Sequence, residues 1–354
     1  MGEWKRVPLA EVVKLKRGFD LPEPDRRPGP YPVVGSAGVS GWHDEGPIAG
    51  PGVTVGRSGA SIGVATYVSG SYWPLNTTLF VEDFLGNDPR FVYYLLDSLD
   101  FQRFNSGSAQ PSLNRNYIAG ITVAIPDVNE QRAIAAVLGA LDDKIAVNER
   151  IMTTSHELAQ ALAARVLADS PRVPLAEIAT ITMGSSPPGH TYNDAGIGMP
   201  FYQGARDFGS RFPKRRVWCT EPVRLAQPGS TLVSVRAPVG RLNVAIEQCC
   251  IGRGLAALTS KNQTPSVLFH TLSFASEIWQ PFESEGTVFG AINKAQLEGL
   301  LVPALDPPSC HELEATLSSL DDLVRQRFME NATLAELRDT LLPKLISGEL
   351  RVRD

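Results

Sequence analysis

Between Arg206 and Trp218, five cations, Arg206, Arg211, Lys214, Arg215 and Arg216, are interleaved with the rings of Phe208, Phe212 and Trp218. An arginine carries a planar fork of donors that matches a phosphate or the two acceptors on a guanine edge, and lysine adds a point charge. Two more arginines, Arg57 and Arg236, stand in matching glycine-rich segments, Arg57-Ser-Gly-Ala-Ser-Ile-Gly63 and Ser234-Val-Arg-Ala-Pro-Val-Gly240. Gly107-Ser-Ala-Gln-Pro-Ser112 and Gly286-Thr-Val-Phe-Gly290 each precede an expected short helix, whose N-terminal amides can face phosphate. Ser108, Gln110, Arg115, Arg241 and Lys294 complete the candidate DNA-contact set. Solvated loops and plain turns use the same residues, so both readings stand at this point.

Catalytic patterns are weaker. Asp306-Pro-Pro-Ser309 has the outline of an amino-methyltransferase loop but lacks the aromatic that would stack a flipped base. Pro126-Asp127 with Asp142-Asp-Lys144 copies a nuclease spacing, yet its second half falls on a heptad helix, and Leu323 replaces the lysine in the second copy. A metal needs both carboxylates in one pocket. Neither a dinucleotide-binding glycine motif nor a Walker A loop occurs. The five histidines are scattered, and His156 reads as a helix-surface residue. No catalytic residue, metal site or cofactor of the chain's own is expected.

Composition bounds the rest. The 354 residues are 43% hydrophobic and 20% charged with a net charge of −5, ordinary for a globular protein with room for two cores. No apolar run approaches the ~18 residues of a membrane span. The cysteines Cys219, Cys249, Cys250 and Cys310 show no C-x-x-C pairing, which suits a reduced, cytoplasmic setting. Residues 1–128 and 169–306 are each nearly neutral, and the acidic excess lies in two helical segments.

Those segments organise the chain. After Ile134, steps of four and three pick out Leu138, Leu141, Ile145, Asn148, Met152, Ser155, Ala159, Leu162 and Val166. At a shift of 179 the seam returns as Leu313, Leu317, Leu320, Val324, Arg327, Asn331, Leu334, Arg338, Leu341 and Leu345, and Leu138-Gly-Ala-Leu-Asp-Asp143 matches Leu317-Ser-Ser-Leu-Asp-Asp322. A heptad seam marks a long helix that packs on another long helix. The polar positions Asn148, Ser155, Arg327, Asn331 and Arg338 either fix register, meet a partner or DNA, or face solvent. The globular segments repeat as well. Arg6-Val-Pro-Leu-Ala-Glu11 followed by Gly18 returns as Arg172-Val-Pro-Leu-Ala-Glu177 followed by Gly184. Gly107, Asn114 and Gly120 return as Gly286, Asn293 and Gly299, so the shift grows from 166 to 179 through an insertion in the second copy. Strands are expected at Val53–Val55, Val64–Val68, Leu79–Val81 and Ile121–Ile125, with helices at Phe91–Phe104 and Ser112–Ala119.

The expected fold class is therefore α+β: two duplicated recognition domains and two long antiparallel helices forming a coiled-coil spacer. The expected boundaries are 1–126 and 169–305 for the domains, and 127–168 and 306–354 for the helices. The return of the Arg-Val step at Leu350-Arg-Val352 suggests a pseudo-two-fold, circular organisation. A helix of roughly 35–40 residues is on the order of 55 Å long at ~1.5 Å per residue.

Two domains inverted about a rod suit a ligand with approximate two-fold symmetry, and duplex DNA read as two half-sites leads. Here a resemblance becomes specific. The run Ile125-Pro-Asp-Val-Asn-Glu-Gln-Arg-Ala-Ile-Ala-Ala-Val-Leu-Gly-Ala-Leu-Asp142 resembles the strand–proline–Glu-Gln–helix signature of type I restriction-modification specificity subunits. Leu341-Leu-Pro-Lys-Leu-Ile-Ser-Gly-Glu-Leu350 resembles that family's C-terminal helix end, and the repeat layout covers essentially the whole chain. The resemblance implies a non-catalytic subunit whose two domains read a split double-stranded DNA target across a gap set by the helices. It also implies two modification (methyltransferase) subunits as partners, carrying S-adenosylmethionine, and restriction subunits that cleave unmodified DNA. Glu130, Gln131, Asp142, Asp143, Asp321 and Asp322 are the candidate partner contacts. The second copy departs from the pattern, with Pro308-Ser-Cys-His311 where the first has Asn129-Glu-Gln-Arg132. A duplicated scaffold that binds protein rather than DNA is the competing reading.

Overall fold

Short β-branched runs become strands at the expected places: Gly52–Gly56, Ala65–Val68, Thr78–Asp83 and Thr122–Ile125. The computed structural model describes residues 4–104, 112–282 and 290–352. It comprises two units, Met1–Val147 with Asn331–Asp354, and Asn148–Glu330. Each therefore holds part of both long helices, which run Val128–Leu167 and Pro307–Ser347.

In the first unit, Lys5–Pro8 pairs antiparallel with Thr122–Ile125. A four-stranded antiparallel sheet follows the order Lys14–Arg17, Thr78–Asp83, Gly52–Gly56, Ala65–Val68. A smaller sheet joins Gly38–His43, Tyr31–Gly35 and Trp73–Pro74, the last pair parallel. The helix Pro89–Asp97 starts where Asp88 accepts from the amides of Arg90 and Phe91, and its apolar face enters the core. The expected helix Phe91–Phe104 thus ends early. Ser98 closes it, and Phe101–Phe104 is a separate 3-10 turn that buries Phe101. The short helix likewise shrinks to Arg115–Ile118, because Asn114 caps it by accepting from the Asn116 amide.

Core packing joins sheet to helices. Val53, Val55, Leu79, Val81, Phe91 and Leu95 pack with Ile134 and Leu138 of the first long helix and Leu345 and Ile346 of the second. Asp127 caps the first helix by accepting from the amides of Asn129 and Glu130. The second stops at Gly348, whose φ of +76° favours glycine, and Leu350 N–H returns to Lys344 O. Within this unit the helix segments run antiparallel. Arg338 Nη1 donates to Asp142 Oδ1 at 2.9 Å, and Asn331 Nδ2 to Ile145 O at 3.4 Å.

The second unit repeats the strand pair and the four-stranded order, while its other sheet has five strands instead of three. Arg172–Pro174 pairs with Leu301–Pro303, and a four-stranded sheet runs Ala179–Met183, Leu255–Ser260, Thr231–Ser234, Leu242–Val244. A second sheet runs Tyr192–Asn193, Trp218–Cys219, Met199–Tyr202, Cys249–Ile251, Leu225–Ala226, again with one parallel pair, Met199–Tyr202 with Cys249–Ile251. The helix Pro265–Phe274 lacks a side-chain cap from Thr264; Glu314 of the second long helix accepts from the amides of Ser266 and Val267 instead. Asn148 reaches Glu330, while Ala159, Ala163 and Leu167 cluster with Cys310, Leu313 and Leu317, so these helix segments are also antiparallel.

The polar seam positions are engaged. Asn148 is fully buried and donates to Glu330 at 3.1 Å; Arg327 also bonds Glu330; Ser155 is buried. The seam drifts at its end, however. Val166 is exposed and Leu167 is buried in its place, because a straight helix advances past a strict heptad by roughly 20° per repeat.

Candidate nucleic-acid interface

In the first unit, strand ends and the short helix bring cations to one open concavity of about 470 Å³. Lys16 and Arg17 come from the end of the first strand of the four-stranded sheet, Arg57 from just past Gly52–Gly56, and Arg115 from the start of the short helix. The backbone fixes this convergence. Arg57 N–H donates to Thr77 O at 2.9 Å, and Arg57 O accepts from Leu113 N–H at 2.8 Å. Lys16 Nζ is held by Glu82 at 2.7 Å and Arg57 Nη1 by Asn76 O at 3.3 Å. Arg17 and Arg115 are exposed, and their side chains make no hydrogen bond or ion pair with the described residues. Lys16 and Arg17 were missed in the sequence. Their signal was a basic strand, Lys14-Leu-Lys-Arg17, abutting the repeat-marking Gly18. Ser108 and Gln110 lie outside the described residues.

The second unit has an open concavity of about 600 Å³ lined by Gln203, Gly204, Ala205, Arg206, Ala237, Pro238 and Arg241. Its turn is built by Ser234, whose hydroxyl donates to Pro238 O at 2.6 Å and accepts from Arg241 N–H at 2.9 Å. Arg236 is exposed beside it. Arg57 and Arg236 are not equivalent, although their segments are. Leu113 N–H bonds Arg57 O, whereas the matching Ile292 N–H bonds Val235 O, so Arg236 stands at the position of Ser58. Lys294 is exposed and pairs with Glu298 at 3.4 Å.

The basic cluster divides in two. Arg206, Lys214, Arg215 and Arg216 are exposed; Arg215 Nε is held by Glu247 at 2.6 Å and Arg216 lies 4.0 Å from Asp207. Arg211 is not a surface cation. Its side chain is 7% exposed, pairs through Nη2 with Asp321 at 2.7 Å and lies over the Phe269 ring at 3.3 Å. Burial pulls its guanidinium down to about 10. The interleaved aromatics explain the inversion: Phe212 and Phe269 form an apolar seat that sequence alone cannot distinguish from an exposed stacking surface.

The candidate partner contacts divide too. Gln131 is buried, with its amide spent on Asn87 and Pro126 O and its carbonyl accepting from the Asp88 amide. Asp142 accepts from Tyr94 and Arg338, Asp321 from Arg211 and His270, and Glu130 is paired with Arg351 at 2.8 Å. These four serve the interior. Asp143 and Asp322 are exposed, beside Arg90 and Arg325.

His156 is also relocated from the surface. It is half-buried, its ring 6.4 Å from Phe269 and 5.9 Å from His270. Burial, then the Arg211 and His270 charges, hold its pKa down to about 4 against the opposing pull of Asp321. As pH falls from 6.5 towards 4, the unfolded chain takes up a proton that the folded chain refuses, so stability is lost through that window. The loss should be on the order of 2 kcal/mol, after discounting for partial exposure. Denaturant midpoints at neutral and acid pH should therefore diverge less in His156→Gln than in the unsubstituted chain; equal divergence would remove this residue as the cause.

Among the described residues, no group of three or more His, Cys, Asp or Glu is placed to hold a metal, and no helix is long and apolar enough to cross a membrane. Asp127 of the nuclease-like pattern is a helix cap.

Residues 1–154 match the family model described as type I restriction modification DNA specificity domain. The chain is similar to the putative type I restriction enzyme MjaX specificity subunit of Methanocaldococcus jannaschii, at 27% identity over 267 residues, 69% of this chain and 63% of the relative. It is also similar to the type I restriction enzyme EcoprrI specificity subunit of Escherichia coli, at 26% identity over 145 residues, 40% of this chain and 36% of the relative. The matches thus span less than two thirds of either relative's length. The mixed helix-and-sheet fold is that of the type I restriction-modification S subunit from M. genitalium, with a TM-score of 0.70, 18% identity and coverage of 97% and 96% of the two chains.

Proposed function

We propose that this chain is the DNA-recognition subunit of a type I restriction-modification complex, non-catalytic itself, reading a split double-stranded target in the cytoplasm. The observation that carries the reading is the recurrence of an open basic concavity in two units of matching strand order, lined by Lys16, Arg17, Arg57 and Arg115 in one and by Arg206 and Arg241 in the other. Phosphate contacts position a protein on duplex DNA while base-edge contacts choose the sequence, and arginine serves both. Matched repeats and matched strand orders support a duplicated unit, with recognition domains at 1–126 and 169–305. The helical segments 127–168 and 306–354 act as a coiled-coil spacer that sets the gap between half-sites, a role consistent with antiparallel pairing inside each unit. Two modification subunits dock on the helices, where the exposed Asp143 and Asp322 are the surviving acidic candidates. Those subunits bring the S-adenosylmethionine, and restriction subunits join them.

The test is a map of methylated adenines in cells supplying the cognate modification subunit, with and without this chain. A split motif that depends on the chain is expected, and one heptad added to each helix should widen its gap while both halves stay the same. A stable protein complex that yields no motif would favour a scaffold instead.

A further inference from the structure

The loop from Gln203 to Arg216 carries exposed cations, Arg206 and Lys214 to Arg216, of which Arg206 and Arg216 both lie within 4.0 Å of Asp207, and its interior is fixed by buried polar groups. The Asp207 carboxylate, 3% exposed, accepts from Gln203 N–H at 2.7 Å, and Lys214 N–H donates to Asp207 O at 2.7 Å. Asn243, 1% exposed, holds Gly209 by both its amide and its carbonyl, at 3.2 and 3.1 Å. The tip of this loop does not point to solvent. Arg211 runs inwards to Asp321 on the second long helix, flat over Phe269, and the Phe212 ring lies 4.9 Å from that of Phe328 on the same helix.

A buried ion pair is a poor explanation in terms of stability alone, since apolar residues of similar volume commonly serve as well or better. Here Arg211 Nη1 is buried with no hydrogen-bond partner among the described residues, which adds to the cost. What a forked cation adds over an apolar plug is direction, because only one placement satisfies both Asp321 and the Phe269 face. Among the described residues, the first unit shows no such device at the matching carboxylate. Asp142 there takes Tyr94 and Arg338, neither of which belongs to a basic loop.

We propose that Arg211 is a positioning residue for DNA reading by the second unit, locking the tip of the basic loop onto the second long helix so that base choice in one half of the target depends on it. The inference rests on the DNA-recognition reading above. Base readout requires side chains held within fractions of an ångström, which a tethered loop satisfies and a free one does not.

The experiment compares methylated-adenine maps made by the assembled complex carrying the unsubstituted chain, Arg211→Met or Arg211→Lys. With Arg211→Met, discrimination at one or more positions of a single half-site should relax roughly tenfold, the scale of one bidentate base contact, while the other half is unchanged. Arg211→Lys keeps the charge but not the fork, and should relax the same positions by a smaller factor. A purely structural role would lower methylation at every site without changing the motif, and that result overturns the proposal, as does equal relaxation of both halves. Should Arg211→Met not assemble, an unchanged motif in Arg211→Lys overturns it. No split motif from the unsubstituted chain is a different failure: it removes the underlying reading, and the proposal with it.

Discussion

Asp321→Ala is expected to destabilise the second unit by about 3–5 kcal/mol, the cost of leaving a buried cation without its anion. Arg211 has no other carboxylate in reach among its described ion pairs, and His270, fully buried, loses the acceptor for its Nε2 at the same time. The Asp321 carboxyl reports the same coupling. Burial works to raise its pKa, but the His270 hydrogen bond and the Arg211 charge outweigh that and hold it below the usual carboxylate value. Its folded value is therefore depressed, so its contribution is present above the unfolded value of 3.8 and is lost as pH falls through the folded one. The double replacement Arg211→Met with Asp321→Leu should recover most of the loss, because it removes the unpaired charge and fills the seat. Chemical denaturation of the unsubstituted chain and the two variants checks this. If the double variant is as unstable as Asp321→Ala, lost packing rather than an orphaned charge is responsible.

Arg17→Glu with Arg115→Glu should reduce affinity for target duplex by one to two orders of magnitude, roughly 10–100-fold at moderate salt. The slope of log affinity against log salt should fall by about two, one for each released phosphate contact. These two are chosen over Lys16 and Arg57, which are already tied to Glu82 and to the Asn76 carbonyl. The side chains of Arg17 and Arg115 are exposed and engage nothing described, so their replacement should leave stability within about 0.5 kcal/mol. Titration of a labelled duplex across a salt series gives both numbers. An unchanged slope would take the concavity out of the DNA interface. Equal loss of DNA binding and of partner assembly would point to damage to the fold instead.

The long helices were legible from residue type alone. A heptad pattern constrains which face is buried over many turns, and Leu138, Ala159, Leu317 and Val324 all fall where it puts them. The repeats, read as text, indicated that one globular half answers the other. Capping was legible at Asp88, which stands before Pro89 and binds the orphan amides of Arg90 and Phe91; at Asn114 it was not, since the expected helix began before it.

Charge was not legible in the same way. A basic residue in a loop rich in aromatics has two outcomes, solvent or a paired interior seat, and the choice between them belongs to residues far away in sequence. Arg211 went inside because Asp321 and Phe269, more than fifty residues distant, meet it there. Gln131 and Asp142 turned inward because Asn87, Tyr94 and Arg338 gave them partners, and His156 because Phe269 and His270 pack beside it. Lys16 and Arg17 became candidates only once a sheet edge brought them to Arg57 and Arg115. Periodicity and turn chemistry are local and act through the backbone, so the sequence by itself determined the helices, the caps and the repeat. Pairing and desolvation of charges depend on distances between segments, and only the tertiary structure decided those.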